Sequence, residues 1–310
     1  MIRDIPKISD VLYRLKERRQ RPPLATLLQV ECDIEGMLGS KPPAHEMNTL
    51  AYTGFMSEKL FSKLKSQWLS EASMNFNSTE FTRGFLALSK TDFIQPDEME
   101  ICMKLLRDNL NEFSLSSLIW TLRAFVLLDL NDEQLYEQAI KVLIAKGISN
   151  INLREKQVLH SALVGFEIDR PLLAKRLLAP LTSFRSELNS SGAGKLQIRS
   201  YSEDKIAHVL DKLGYRYFRN VSHAKLYELD FFIPSFRLAI EMLGLPYHTT
   251  VFGNHLTSNT KVKTRHLKRS GLHVVNVIET TDLENTLQKA IADVVASKSP
   301  VSSLVGGFLR

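Results

Sequence analysis

Between about Ser57 and Pro180 the apolar positions recur with a helical period, while Gly and Pro are sparse. The segment also repeats. Phe76-Asn77-Ser78-Thr79-Glu80-Phe81 returns as Phe113-Ser114-Leu115-Ser116-Ser117-Leu118, and a third copy starts at Ile151-Asn152-Leu153, at offsets of 37 and 38 residues. Second helices start at Asp97-Glu98 and Asp132-Glu133, 35 residues apart, and an Asp or Ser at each start is placed to cap an N-terminus. Two helices per unit at this period predict an α-solenoid over residues 51–188. The alternative is a plain helical bundle. In a solenoid Phe85, Trp120, Phe125 and the leucines are core, not a base-stacking row, and the product is a long concave surface.

Ahead of it, residues 1–50 carry Pro22-Pro23, Gly36, Gly39 and Lys41-Pro42-Pro43, which predicts an extended arm with short helical pieces. After Pro180, Ser and Gly make a linker over 189–199. A different pattern then begins, ending before a tail at 297–310. Ser200-Tyr201-Ser202-Glu203 is a capping box that opens a helix running to Leu213. Arg216–Asn220, Leu229–Ile233 and Arg237–Leu243 read as strands, the last two as a hairpin. Thr257–Ser270 is a basic helix, His273–Ile278 a buried strand, and Thr281-Asp282-Leu283-Glu284 opens a final helix. The order α-β-β-β-α-β-α describes a hairpin sheet with one helical crossover to a parallel strand.

At 310 residues two domains are expected. No apolar run approaches the roughly 20 residues that span a bilayer. Cys32 and Cys102 alone make neither a zinc cluster nor a disulfide framework, which suits a reducing compartment. The net charge of +6 favours a polyanionic partner. It is concentrated: residues 195–279 hold thirteen cations against seven acids. Six basic residues, Lys261, Lys263, Arg265, His266, Lys268 and Arg269, fall within nine positions of the basic helix. Such a cluster neutralises phosphates but reads no bases. Tyr247, His248 and Phe252 nearby are candidates for stacking on unpaired bases, with packing as the plain alternative for Phe252. A second cluster, including Arg18 and Arg19, fits either a transit peptide or a basic binding arm.

Leu229-Asp230-Phe231-Phe232-Ile233-Pro234, then Leu238 to His248, then Leu267-Lys268-Arg269-Ser270-Gly271-Leu272-His273-Val274-Val275 resemble the RAP domain over roughly residues 200–296. The resemblance implies a restriction-endonuclease-like α/β fold, a mitochondrial or chloroplast location and a role in organellar RNA metabolism. Helical repeats ahead of such a domain are also usual in that family.

Nucleases of the PD-(D/E)xK type hold Mg²⁺ with two acids and place a lysine beside the second. Asp230 and Glu241 are candidate acids. Strand alternation puts Arg237, Ala239, Glu241 and position 243 on one face, where a nuclease wants lysine and this chain has Leu243. A lysine from the next helix, Lys261 or Lys263, would rescue the site, and Glu203 would supply a third carboxylate. Otherwise the acids are structural.

The expectation is a non-catalytic RNA-binding protein of the mitochondrial matrix, without cofactor or metal. Its RNA contacts would be Lys261, Lys263, Arg265, His266, Lys268, Arg269, Tyr247, His248, Arg18 and Arg19. Its partners would be organellar RNA, possibly ribosomal, and the proteins of a ribonucleoprotein such as the mitochondrial ribosome, with no membrane. The alternatives are a metal-dependent nuclease and a protein-interaction scaffold.

Overall fold

The computed structural model describes residues 23–148, 151–182, 201–224, 226–243, 250, 256–278 and 282–296. Among them are twelve α-helices and a small four-stranded mixed sheet. The linker at 189–199, the tail at 297–310, Ser200 and Thr281 lie outside the described residues.

Helical order starts earlier than the pattern suggests. Residues expected as an arm form α1 (Leu24–Met37) and α2 (Pro43–Thr53). Pro43 sits in the first turn of α2, where its missing N–H costs nothing. The buried Glu46 carboxylate accepts the N–H groups of Gly39 and Lys41, tying down the connecting loop. Leu27, Ile34, Met47 and Leu50 complete the packing by joining the main core.

The next helices are α3 (Glu58–Met74), α4 (Ser78–Leu88), α5 (Pro96–Asn109), α6 (Leu115–Leu127), α7 (Glu133–Lys146), α8 (Leu153–Asp169) and α9 (Pro171–Leu177). Their starts are written locally. Ser57, Asn77, Ser114, Asp132 and Asn152 each accept a backbone N–H of the first turn, a contribution of about 1 kcal/mol apiece. At α5 the cap is Gln95 with Pro96 behind it, so Asp97 lies inside the helix and is not its cap. Helices α2, α4, α6 and α8 pack side by side in chain order. A line of rings runs through this row: Trp68, Phe81, Phe85, Phe125, Tyr136 and Phe166, with successive centroids 4.3 to 6.3 Å apart. Phe85 and Phe125 are core, as the periodicity requires. Trp120 is partly buried: it packs against this core, as expected, and also lines an open groove.

The C-terminal unit comprises α10 (Tyr201–Lys212), β1 (Phe218–His223), β2 (Tyr227–Ile233), β3 (Leu238–Leu243), α11 (Ser258–Arg269), β4 (His273–Ile278) and α12 (Leu283–Ala296). Sheet order is β1-β2-β3-β4, antiparallel except for the parallel β3–β4 pair that α11 connects. Ile206 and Leu210 of α10 and Leu287 and Ile291 of α12 cover one face, meeting Phe231, Ile233, Leu238 and Ile240. Leu267 of α11 meets Leu229 and Ala239 on the other. Arg237 is not on the strand; it adopts a left-handed conformation with φ 49° at the turn before β3. Val262 of α11 belongs to the core of the helical row, so this one helix serves both cores.

A Cβ on Gly84 would lie 2.3 to 2.8 Å from the indole of Trp68. Gly84→Ala therefore overpacks α4 against α3, and urea unfolding should show a loss of about 1–3 kcal/mol. An unchanged midpoint would mean the indole is free to move.

Candidate nucleic-acid interface

The basic helix α11 forms because Thr257 caps it and its buried positions, among them Val262, His266 and Leu267, face inward. Most of its cations face protein. Lys261 pairs with Asp92. Arg265 binds Asp169 at 2.7 Å and the carbonyl of Val126 at 2.6 Å. Arg269 forms a two-point pair with Asp129, both contacts 2.8 Å, and also reaches Asp169. His266 is fully buried, its Nε2 3.1 Å from Asp169 and its Nδ1 2.6 Å from the Tyr227 hydroxyl.

Lys261, Arg265 and Arg269 recur every four residues, one stripe of a helix. Their acids follow or end α4, α6 and α8. Burial pushes the Asp169 carboxyl up, but hydrogen bonds from His266 and Arg265 outweigh it and hold the group down at about 2. Asp129 is likewise lowered, because Arg269 and Arg265 overcome its burial. Arg123 of α6 reaches Asn259 of α11 at 2.7 Å. Gly165 of α8 makes the approach possible: a Cβ there would stand 2.6 Å from Val126 and 2.9 Å from His266.

Of the residues expected to touch RNA, then, Lys261, Arg265, His266 and Arg269 are engaged where the two units meet. Their charge is met by acids of the same chain, and His266 has no exposed surface at all. Lys268 and Arg269 are both exposed, and Arg269 is paired with Asp129. Tyr247, His248, Phe252, Arg18 and Arg19 lie outside the described residues. The acids Asp92, Asp129 and Asp169 carry no motif. One signal does mark Asp129 and Asp169: an acid at a helix C-terminus opposes the helix dipole unless a cation is brought to it.

The carboxylate pair is also occupied. Regular β2–β3 pairing stops at Phe231 and Ile240, and the Asp230 carboxylate accepts the next N–H, that of Met242, at 2.7 Å. Opposite, Asn220 of β1 has φ 54°, and the strand changes face here: Leu229 packs toward α11, Phe231 and Ile233 away from it. Glu241 and Leu243 are both buried. The lysine comes from α11: Lys263 pairs with Glu241 and donates to the carbonyl of Glu228. Burial pushes the Glu241 carboxyl up to about 7, Lys263 pulls it down and Asp230 pushes it further up. Glu203, the candidate third carboxylate, is 3.6 Å from Arg219 instead. Among the described residues no three His, Cys, Asp or Glu side chains cluster as a metal site.

The remaining feature is the groove beside α2, α4, α6 and the start of α8. Its volume is about 360 Å³, and Tyr52, Arg83, Lys90, Trp120 and Arg154 are among its lining residues. Tyr52 is 52% exposed, and the Arg154 guanidinium lies 5.3 Å from the centre of the Trp120 ring. Repeat spacing supplies these positions, since Thr79, Ser116 and Arg154 occupy matching places in the three copies.

No protein-family model matches the chain, and no curated protein matches it. No helix among the described residues is long and apolar enough to cross a membrane.

Asp169 fixes a pH dependence. Its folded value lies below the ordinary 3.8, so its contribution is complete above about pH 4 and is lost as pH falls toward 2. Acid titration of unfolding should reveal a loss of about 2 kcal/mol across that window. Asp169→Asn should remove that slope. At neutral pH it should also open the junction between α8 and α11 to protease, costing about 3–5 kcal/mol.

Proposed function

We propose that the chain is a non-catalytic RNA-binding protein, an α-solenoid joined to a restriction-endonuclease-like RAP domain. We place it in the mitochondrial matrix, within a ribonucleoprotein such as the mitochondrial ribosome. The observation that carries the RNA reading is the groove of the helical row, where cations and partly exposed aromatics lie together. Single-stranded nucleic acid is held by that combination: cations track the backbone and rings meet the bases. The location and the RAP identity rest on the sequence resemblance.

Non-catalysis is supported by chemistry at the sheet. An ammonium already neutralises Glu241, and a backbone amide engages Asp230. A second cation brought there would meet the charge of Lys263 at close range. The rival reading, a metal-dependent nuclease, is favoured by one observation, that Lys263 reaches Glu241 as a migrated catalytic lysine would. Incubation of the full chain with labelled RNA and DNA in Mg²⁺ or Mn²⁺ decides between them. No cleavage is expected. Cleavage abolished by Glu241→Ala would establish the nuclease.

RNA binding is tested by filter retention of an unstructured RNA across a salt series. Arg83→Glu, Lys90→Glu and Arg154→Glu together should weaken retention at least tenfold. The log–log salt slope should flatten by about 2, the loss of three phosphate contacts on a single strand. Lys268→Glu alone should change it little. Retention unaffected by the triple variant would leave the protein-interaction scaffold ahead.

A further inference from the structure

We propose that the recess beside Trp120 is a slot for one unpaired nucleobase of single-stranded RNA. The inference rests on the RNA reading above and adds to it the part of the ligand that is read. Trp120 is one of only two tryptophans in the chain. The other, Trp68, is 2% exposed and wedged against Gly84, as a core indole should be. Trp120 lies instead on the rim of a recess of about 360 Å³, within the size range of small-molecule clefts. One face of its ring is already met by a planar cation, Arg154, at 5.3 Å. A guanidinium resting on an indole occupies the position that a flat base would take, and both recognise the same π face.

The surroundings suit a nucleotide better than an apolar side chain. Arg83, which pairs with Glu80, and Lys90 stand on the same recess as Arg154, so a base entering it brings its phosphates toward three cations. Tyr52 offers a second exposed ring. Ser116 and Asn48 provide donors and acceptors for a base edge. When a base stacks on Trp120, Arg154 turns from the ring to the phosphate beside it and keeps its charge satisfied.

The test uses the intrinsic fluorescence of the full chain. It is titrated with an eight-residue uridylate RNA and with an abasic octamer of the same backbone charge. Stacking should quench Trp120 emission with the base-bearing RNA only. Trp120→Phe should remove the quenching while keeping the thermal midpoint, and Trp120→Ala should weaken binding roughly 5- to 140-fold, the range for losing one stacked base. Equal binding of both octamers without quenching would overturn the slot and leave RNA binding by charge intact. No binding of either octamer would overturn both readings. Should Trp120→Ala prove unstable, crosslinking of 4-thiouridine RNA to the wild-type chain serves instead: adducts at Trp120 or Tyr52 support the slot, and adducts confined elsewhere sink it.

Discussion

The architecture depends on a row of carboxylates meeting a stripe of cations. Asp92, Asp129 and Asp169 stand at or just beyond the C-terminal ends of α4, α6 and α8. Those ends carry partial negative charge already, so each acid there is unfavourable in isolation. Helix α11 resolves the conflict by laying Lys261, Arg265 and Arg269 across all three ends, each cation about one turn beyond the last. Side-by-side packing of α4, α6 and α8 makes the acids into a row, and a helix from the other unit can answer a row. Either unit folded alone would leave its own charges unmatched.

Burial makes this junction a matter of fit as well as charge. Asp169 is 2% exposed at its side chain and is approached by Arg265, Arg269 and His266. Such a cluster holds only if every member is satisfied, because an uncompensated charge there costs several kcal/mol. His266 is satisfied on both sides, by Asp169 and by Tyr227, so it links α8 to β2 through one ring. Gly165 is the backbone counterpart: no side chain there can share the space with His266 and Val126. Val262 adds an apolar contact on the same helix. Charge, hydrogen bonding and close packing therefore fix one relative placement of the helical row and the sheet.

Much of the fold was legible because its signals are local. The repeat offsets place Phe85 and Phe125 in the core, and the caps at Ser114, Asp132 and Asn152 mark helix starts within a residue or so. The strand at His273–Ile278 and the hairpin order needed nothing beyond apolar runs and turns, but the strand expected to be buried lies at the sheet edge, and of its described side chains only Val277 is buried. Long-range facts were not legible. A run of Lys and Arg looks the same whether it faces solvent or three aspartates from another unit, and only the fold decides. Trp120 differs from Phe125 by where α6 meets its neighbours, not by period. Leu243 lies two residues after Glu241 on β3, and both are buried. The ammonium that reaches Glu241 comes from α11, across a gap that strand alternation does not describe.

These placements change what the basic charge means. A net +6 read along the chain suggests one electropositive helix facing a polyanion. In three dimensions Lys261, Arg265 and Arg269 of that helix meet acids of the helical row, Lys263 meets Glu241 of the sheet, and Lys268 is exposed. One cation of the groove stands in a different setting: Arg154 lies over a ring rather than on a carboxylate, whereas Arg83 is paired with Glu80, so a phosphate can draw Arg154 away without breaking a buried ion pair. Moving Arg154 therefore breaks no ion pair, whereas moving Arg265 strips a cation from the buried Asp169. The proposal that the groove is the RNA-binding surface rests on that difference more than on the total charge.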